Sequence, residues 1–232
     1  MFNSKYSKTL TVILIIAIIA IIGLLIFFGI DVYRKYYIET AAGDAVEEFQ
    51  NKVLNPIPST DDDNNTILND VEPNVDLNAI YTGDNENTES SGSGVTYMGY
   101  DVIGTIEIPE IDIEYPIIAD DQASINSLNV AIVKLYPDTI GLNEVGNTVL
   151  VGHNYRNGTF FSNNKRLQEG DKIYITDLSG ERVEYVITNK YETSTSDSEY
   201  MNRDTKGKRE ISLSTCTDDT TGRLIIWAEE VE

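Results

Sequence analysis

The sequence is poor in cysteine, histidine and basic residues, and each shortage excludes a class of protein. The 232 residues include one cysteine, Cys216, and one histidine, His153. A single cysteine cannot form a disulfide within the chain, and one cysteine with one histidine cannot supply a His/Cys metal site. The 17 Lys and Arg residues are outnumbered by 38 Asp and Glu residues, so the net charge is −21. That charge argues against a protein that binds nucleic acid through its phosphates.

Basic residues are missing altogether between Lys52 and Lys134, although acidic residues recur there. Within this segment, residues 55–94 are rich in Asn, Asp, Ser, Thr, Pro and Gly. Such a composition is typical of a solvated, flexible linker. The acidic triplet at residues 61–63 is a conceivable calcium site, but a run of adjacent carboxylates is more often simply solvated.

One long hydrophobic run is present, and it extends without a charge from Leu10 to Ile30. Its length matches the ~20 residues that a helix needs to cross the hydrocarbon core of a bilayer. No small-residue cleavage site follows it closely, so we predict an uncleaved transmembrane signal anchor at residues 10–30, behind a short cytoplasmic tail at residues 1–9. The flanking charges are nearly balanced and do not orient the span, since Lys5 and Lys8 precede it and Arg34 and Lys35 follow it.

Residues 31–97 are predicted to form a stalk and an acidic flexible linker. The first part of this segment favours a helix with Val46, Phe49 and Val53 on one face, although Gly43 weakens its middle. We expect the linker to hold the following domain away from the bilayer.

The folded domain is predicted to span residues 98–232, where strand patterns dominate. Strands are expected at residues 102–108, 111–117, 146–151, 171–176, 183–188, 209–215 and 223–228, with a short helix near residues 122–129. Many short strands without a long helical pattern indicate an all-β domain, either a barrel or a sandwich.

The lone histidine and the lone cysteine both follow predicted apolar strands, and Arg223 begins the strand after the cysteine. This set suits acyl transfer. A Cys216 thiolate would attack a carbonyl, His153 would hold and return a proton, and Arg223 would stabilise the oxyanion. Thr215, beside the nucleophile, is placed to bind substrate or to orient the guanidinium.

Each of these residues also has a purely structural interpretation. A lone cysteine at a strand end is most often a packed small hydrophobe, and a histidine after a glycine is most often an ordinary loop residue. Arg223 has possible surface partners in Asp218, Asp219 and Glu184, where an ion pair contributes little. The residue types and their spacing therefore leave both an enzyme and a non-enzymatic domain open.

Four motifs in order resemble those of the sortase family, over about residues 97–232. They are L-S-T-C at Leu213–Cys216 followed by Arg223, which resembles the family's T-L-x-T-C…R motif; V-G-H-N at Val151–Asn154, which resembles its histidine motif; residues 103–117, which look like its first two strands; and residues 167–175, which match the start of a later strand.

The resemblance implies an eight-stranded β-barrel and an extracellular cysteine transpeptidase of Gram-positive bacteria. Cys216 would cleave an L-P-x-T-G-like sorting signal after its threonine through a thioacyl-enzyme. His153 would act as general acid/base, and Arg223 would bind substrate and the oxyanion. Thr215 and Asn154 are the expected substrate-binding residues. The acyl acceptor would be an amine of a peptidoglycan precursor or a pilin lysine.

The expected partners are secreted proteins with a C-terminal sorting signal, the amine acceptor and the lipid bilayer, with the catalytic domain outside the cell. No cofactor is expected, although some sortases bind Ca²⁺ and the loop carries Asp197, Glu199 and Asp204. The L-S-T-C and G-H-N forms lean toward class B, whereas residues 191–208 are short for that class's helical insertion. The alternatives are a cysteine peptidase that hydrolyses the same signal, and an anchored binding module that reuses the barrel without catalysis.

Overall fold

The computed structural model describes residues 4–54, 93–119 and 125–231. The elements are α1 (Ser4–Leu54), β1 (Thr96–Tyr97), β2 (Tyr100–Ile108), β3 (Ile113–Ile118), α2 (Ile125–Leu128), β4 (Ile132–Tyr136), β5 (Gly146–Val151), β6 (Lys172–Asp177), β7 (Arg182–Ser194), β8 (Arg209–Cys216) and β9 (Gly222–Glu230). The predictions for the acidic triplet, for most of the linker and for the start of the short helix lie outside the described residues.

Strands β2 to β9 form a closed barrel of eight strands. Their spatial order is β2-β3-β4-β5-β8-β9-β7-β6, and the pairing of β2 with β6 closes the ring. The pairs β3–β4 and β5–β8 are parallel, and the other pairs are antiparallel. The two-residue strand β1 extends the sheet beside β2. The prediction of an all-β domain is confirmed, and closure makes it a barrel and not a sandwich.

The barrel interior is filled by apolar side chains that alternate with outward-facing residues. Ile106, Leu150, Leu213 and Ile226 come from four different strands and are fully buried in one core cluster. Burial of this apolar surface is the main favourable term in folding, and the period of two along each strand decides which residues contribute to it.

Strand β4 was not predicted from the sequence. Ile132, Val133 and Lys134 are consecutive and all buried, so the strand lacks the alternation that marks a half-exposed strand. Strand β7 runs to Ser194, beyond its predicted end at residue 188. Its second half is mostly part-exposed and polar, and it is held by pairing with β9.

Helix α1 continues without a break from the apolar run into the predicted stalk, and there it packs on the barrel. Ile38, Ala42, Ala45 and Phe49 are buried and belong to the main core cluster. Their spacing places them on one helical stripe, which contacts β1, β2 and β3. The barrel therefore begins against the helix itself, which differs from the expectation of a linker that holds the domain away from the bilayer.

The earlier part of α1 is exposed along its whole apolar face. From Leu10 to Ile30 the large apolar side chains remain about half exposed or more. By length and composition this stretch is suited to cross a membrane, and it is the one such helix among the residues that the structure describes.

Candidate active site

The parallel pairing of β5 with β8 places the lone histidine beside the lone cysteine. Val151 is in register with Ser214 at the ends of the two strands. His153 and Cys216 each follow this pair by two residues, and the Gly152 amide extends the ladder by donating to the Ser214 carbonyl at 3.3 Å. Because parallel strands end at the same edge of a sheet, equal offsets bring the two side chains together.

The antiparallel pairing of β8 with β9 adds the arginine. Cys216 is directly opposite Arg223, so the two side chains share one face of the sheet. Leu213 and Ile226 are also paired and face the core. Cys216 and Arg223 are each three residues from that pair, so the alternation of side chains along a strand puts them on the outer face of the barrel.

The three side chains line one groove with a volume of about 360 Å³. Thr215 and the apolar side chains of Leu128 and Leu135 also line it. Further lining comes from the segment between β7 and β8, through Thr195, Ser196, Asp197, Ser198, Tyr200 and Met201. Cys216 is a free, part-exposed cysteine at this groove, so its thiol is open to a ligand. A thiol packed as a small hydrophobe inside the core does not match this position.

His153 lies in a partly desolvated position beside an aromatic ring. Its ring centroid is 5.0 Å from that of Tyr155, with the planes inclined by 37°. Burial lowers the pKa of His153, and the positive charge of Arg34 lowers it further. Both effects favour the neutral imidazole, which is the form that accepts a proton.

The loop after His153 is folded back tightly on the barrel. The Phe161 amide donates to the His153 carbonyl at 3.2 Å, and Phe160 and Phe161 are fully buried. A Cβ on Gly152 would lie 2.9 Å from the Phe161 ring, so a glycine is required for this close approach. The buried phenylalanines thus fix where the histidine leaves its strand.

Asn154 joins the histidine loop to the cysteine strand. Its Nδ2 donates to the Cys216 carbonyl at 3.1 Å and to Asp218 at 2.9 Å, while its Oδ1 accepts from the Arg156 amide at 3.1 Å. Asp218 is also paired with Lys165, and that ion pair, with the Asn154 hydrogen bond, lowers the pKa of its carboxyl. Asn154 is outside the groove lining, and its predicted substrate-binding role stays a prediction.

Thr215 contributes a hydroxyl that the protein itself does not use. Its Oγ1 is buried and finds no hydrogen-bond partner within the described ranges. A buried polar atom is costly to leave unpaired. The predicted substrate-binding role of Thr215 stays a prediction.

Sequence reasoning missed two contributors to this site. Asp218 was considered only as a partner for Arg223, yet it braces Asn154. Arg34 had no local signal, because only the docking of α1 brings it near the histidine. In the described part of the chain, no group of three or more His, Cys, Asp and Glu side chains is arranged to hold a metal ion. The Asp197 carboxylate instead accepts from Thr193 and from the Glu199 amide.

The fold and the site define a member of the sortase family. The family model for the sortase domain matches residues 106–231, and the chain belongs to that family. It is 34% identical over 128 residues to sortase A of Bacillus anthracis. That match covers 54% of this chain and 58% of the relative, so the chain spans less than two thirds of the length of that protein.

Two solved structures show the same fold. A sortase D5 transpeptidase of Clostridium perfringens superposes with a TM-score of 0.51 at 29% identity, covering 57% of this chain and 80% of that one. Sortase A of Corynebacterium diphtheriae superposes with a TM-score of 0.51 at 28% identity, covering 60% and 64%. Neither is a class B sortase, and residues 195–208, all of which the structure describes, contain no helix.

Proposed function

We propose that this chain is a membrane-anchored cysteine transpeptidase that cleaves an L-P-x-T-G-like sorting signal and joins the released acyl group to an amine. The observation that carries the proposal is the meeting of Cys216, His153 and Arg223 in one open groove on the outer face of three adjacent strands. Membership of the sortase family supports the same chemistry.

The first half of the reaction forms a thioacyl-enzyme. As the Cys216 sulfur attacks the carbonyl carbon after the threonine of the signal, its proton passes to the neutral His153 imidazole. The carbonyl oxygen becomes an oxyanion, which Arg223 stabilises from across the strand pair. The imidazolium then gives its proton to the departing amine as the peptide bond breaks. Because burial and Arg34 lower the pKa of His153, this imidazolium is a stronger acid than an exposed one.

The second half transfers the acyl group. An amine attacks the thioester carbonyl, His153 takes the amine proton, and the collapse of the second tetrahedral intermediate releases the Cys216 sulfur, which recovers the proton. We propose an amine of a peptidoglycan precursor or a pilin lysine as the acceptor. Water in place of the amine would give hydrolysis, which is the peptidase alternative.

The anchor is proposed to be the apolar half of α1. Its exposed stretch from Leu10 to Ile30 has the length and composition of a single span, with the barrel on the outer side of the cell membrane. In that position the enzyme meets secreted proteins that carry C-terminal sorting signals.

The test uses the full chain in detergent micelles, incubated with L-P-x-T-G, N-P-x-T-N and related peptides and an oligoglycine amine. Mass spectrometry follows the protein and the peptides, and Cys216→Ala is the control. We expect a thioacyl adduct and a ligated product that both require Cys216. Adduct and hydrolysis without ligation for every amine tried would favour a peptidase. An unreactive thiol with no adduct would favour the binding module.

A further inference from the structure

A short series of side chains connects helix α1 to the catalytic histidine. The Arg34 guanidinium carbon lies 5.7 Å from the centroid of the Tyr155 ring. The same ring lies 5.0 Å from the ring of His153. The first residues of α1 beyond the apolar run therefore contact the loop that holds the imidazole.

Several independent contacts hold this arrangement in place. The Lys35 ammonium donates to the Asn157 carbonyl at 2.7 Å, and the Tyr155 hydroxyl donates to the Asn129 carbonyl at 3.0 Å. One turn further along the helix, Ile38 is buried in the core cluster. The residues that follow Arg34 on the helix are thus fixed by a hydrogen bond to the loop and by packing in the core.

We propose that Arg34 is a positioning residue for His153, acting through the Tyr155 ring, so that the catalytic unit includes the membrane-proximal turn of the anchor helix. This inference rests on the proposed function. Arg34 does not reach the reacting atoms. Its role is to hold the aromatic ring that orients the imidazole and to place a positive charge beside it.

The electrostatics around the imidazole support this role. The charged and titratable groups of the two adjoining cavities are Asp31, Arg34, Lys35 and Tyr155 in the small cavity beside the helix, and Asp197, Tyr200, Cys216 and Arg223 in the groove that His153 lines. After burial, Arg34 is the group that lowers the pKa of His153. Burial raises the pKa of the Tyr155 hydroxyl, and Arg34 opposes that rise by its charge and by a hydrogen bond.

The single histidine makes a direct measurement possible. The imidazole of His153 is titrated by NMR in the full chain in micelles, on a Cys216→Ala background. We expect Arg34→Gln to raise the pKa of His153, because a nearby positive charge that disfavours the imidazolium is gone. Arg34→Lys keeps the charge and should leave the titration close to the parent. The matched control is Lys52→Gln, which removes a positive charge from the far end of the same helix and should leave the titration unchanged.

The second measurement uses the intact thiol and the peptide ligation assay. We expect Arg34→Gln to lower kcat about 10-fold with little change in KM, since misplacing a catalytic group costs up to ~100-fold. The limb of the pH profile that belongs to His153 should move to higher pH. Arg34→Lys should recover part of the rate.

The outcomes separate this inference from the proposed function. If Arg34→Gln leaves the titration of His153 unchanged, the inference is overturned, whatever the activity. It is also overturned if the titration moves while kcat stays at the wild-type value. If the wild-type chain forms no thioacyl adduct with any peptide, the proposed function fails, and a moved titration still supports the link from Arg34 to His153.

Discussion

The docking of helix α1 on the barrel predicts a large and local effect of Phe49→Ala. The Phe49 side chain is fully buried, in line with Ala42 and Ala45 on the face that meets the barrel. Truncating a buried phenylalanine to alanine costs about 3 to 5 kcal/mol, from lost burial and from the cavity that remains. A loss of about 3 kcal/mol corresponds to a rise of about 100-fold in the equilibrium constant for detachment of the helix, because each factor of ten corresponds to about 1.4 kcal/mol.

The loss of stability in Phe49→Ala should be confined to the docked helix and should not affect the barrel. Helix α1 contacts β1, β2, β3 and the loop after β5, whereas the barrel closes through its own strand pairs. An undocked segment of this length is marginal as a helix in water, so its amides should exchange with solvent when it detaches. The barrel amides, which are protected by sheet hydrogen bonds, should keep their protection.

Hydrogen exchange followed by mass spectrometry on the full chain in micelles measures both regions at once. Peptides from residues 38–53 should exchange up to about 100-fold faster in Phe49→Ala than in the wild type. The matched control is Leu54→Ala, at the end of the same helix, where the side chain is 57% exposed and should contribute little. Wild-type protection of residues 38–53 in Phe49→Ala would refute the docking, and equal losses throughout the barrel would refute its local character.

Two further predictions concern the site itself. Arg223→Lys keeps the positive charge opposite Cys216 but loses the planar, two-pronged donor, so we expect kcat/KM for peptide ligation to fall about 100-fold or more. A rate near that of the wild type would count against the oxyanion role. Asn154→Ala removes two hydrogen bonds that hold the Cys216 carbonyl and Asp218, so steady-state kinetics should show a lower kcat with little change in KM. A raised KM with unchanged kcat would instead support the substrate-binding role predicted from the sequence.

A barrel strand with one buried and one exposed face can be predicted from the alternating pattern of its sequence. β6 and the first half of β7 follow that rule, and their predicted starts lie within one residue of the observed ones. β5 and β8 were predicted without it, from their apolar runs, whereas β4 was not predicted; consecutive residues are buried in all three strands. No period of two survives in such a strand.

The site was predictable in part. The order of the motifs placed His153, Cys216 and Arg223 in one groove only through family resemblance, because residue spacing says nothing about which strands become neighbours. The face shared by Val46 and Phe49 marked a helix with something to bury. It could not show which surface that face packs against, so the position of Arg34 near the histidine could not be predicted.

The unbroken course of α1 fixes the distance between the end of the apolar run and the loop that carries His153. A helix rises 1.5 Å per residue, so Lys35 lies about 8 Å beyond Ile30 along the axis. With the apolar run spanning the bilayer as proposed, the loop that Lys35 contacts lies at the level of the headgroups. In the proposed reaction, a sorting signal would meet the histidine at that depth while its own protein is still tethered to the membrane. The length of the helix would then restrict the enzyme to substrate proteins at the bilayer surface.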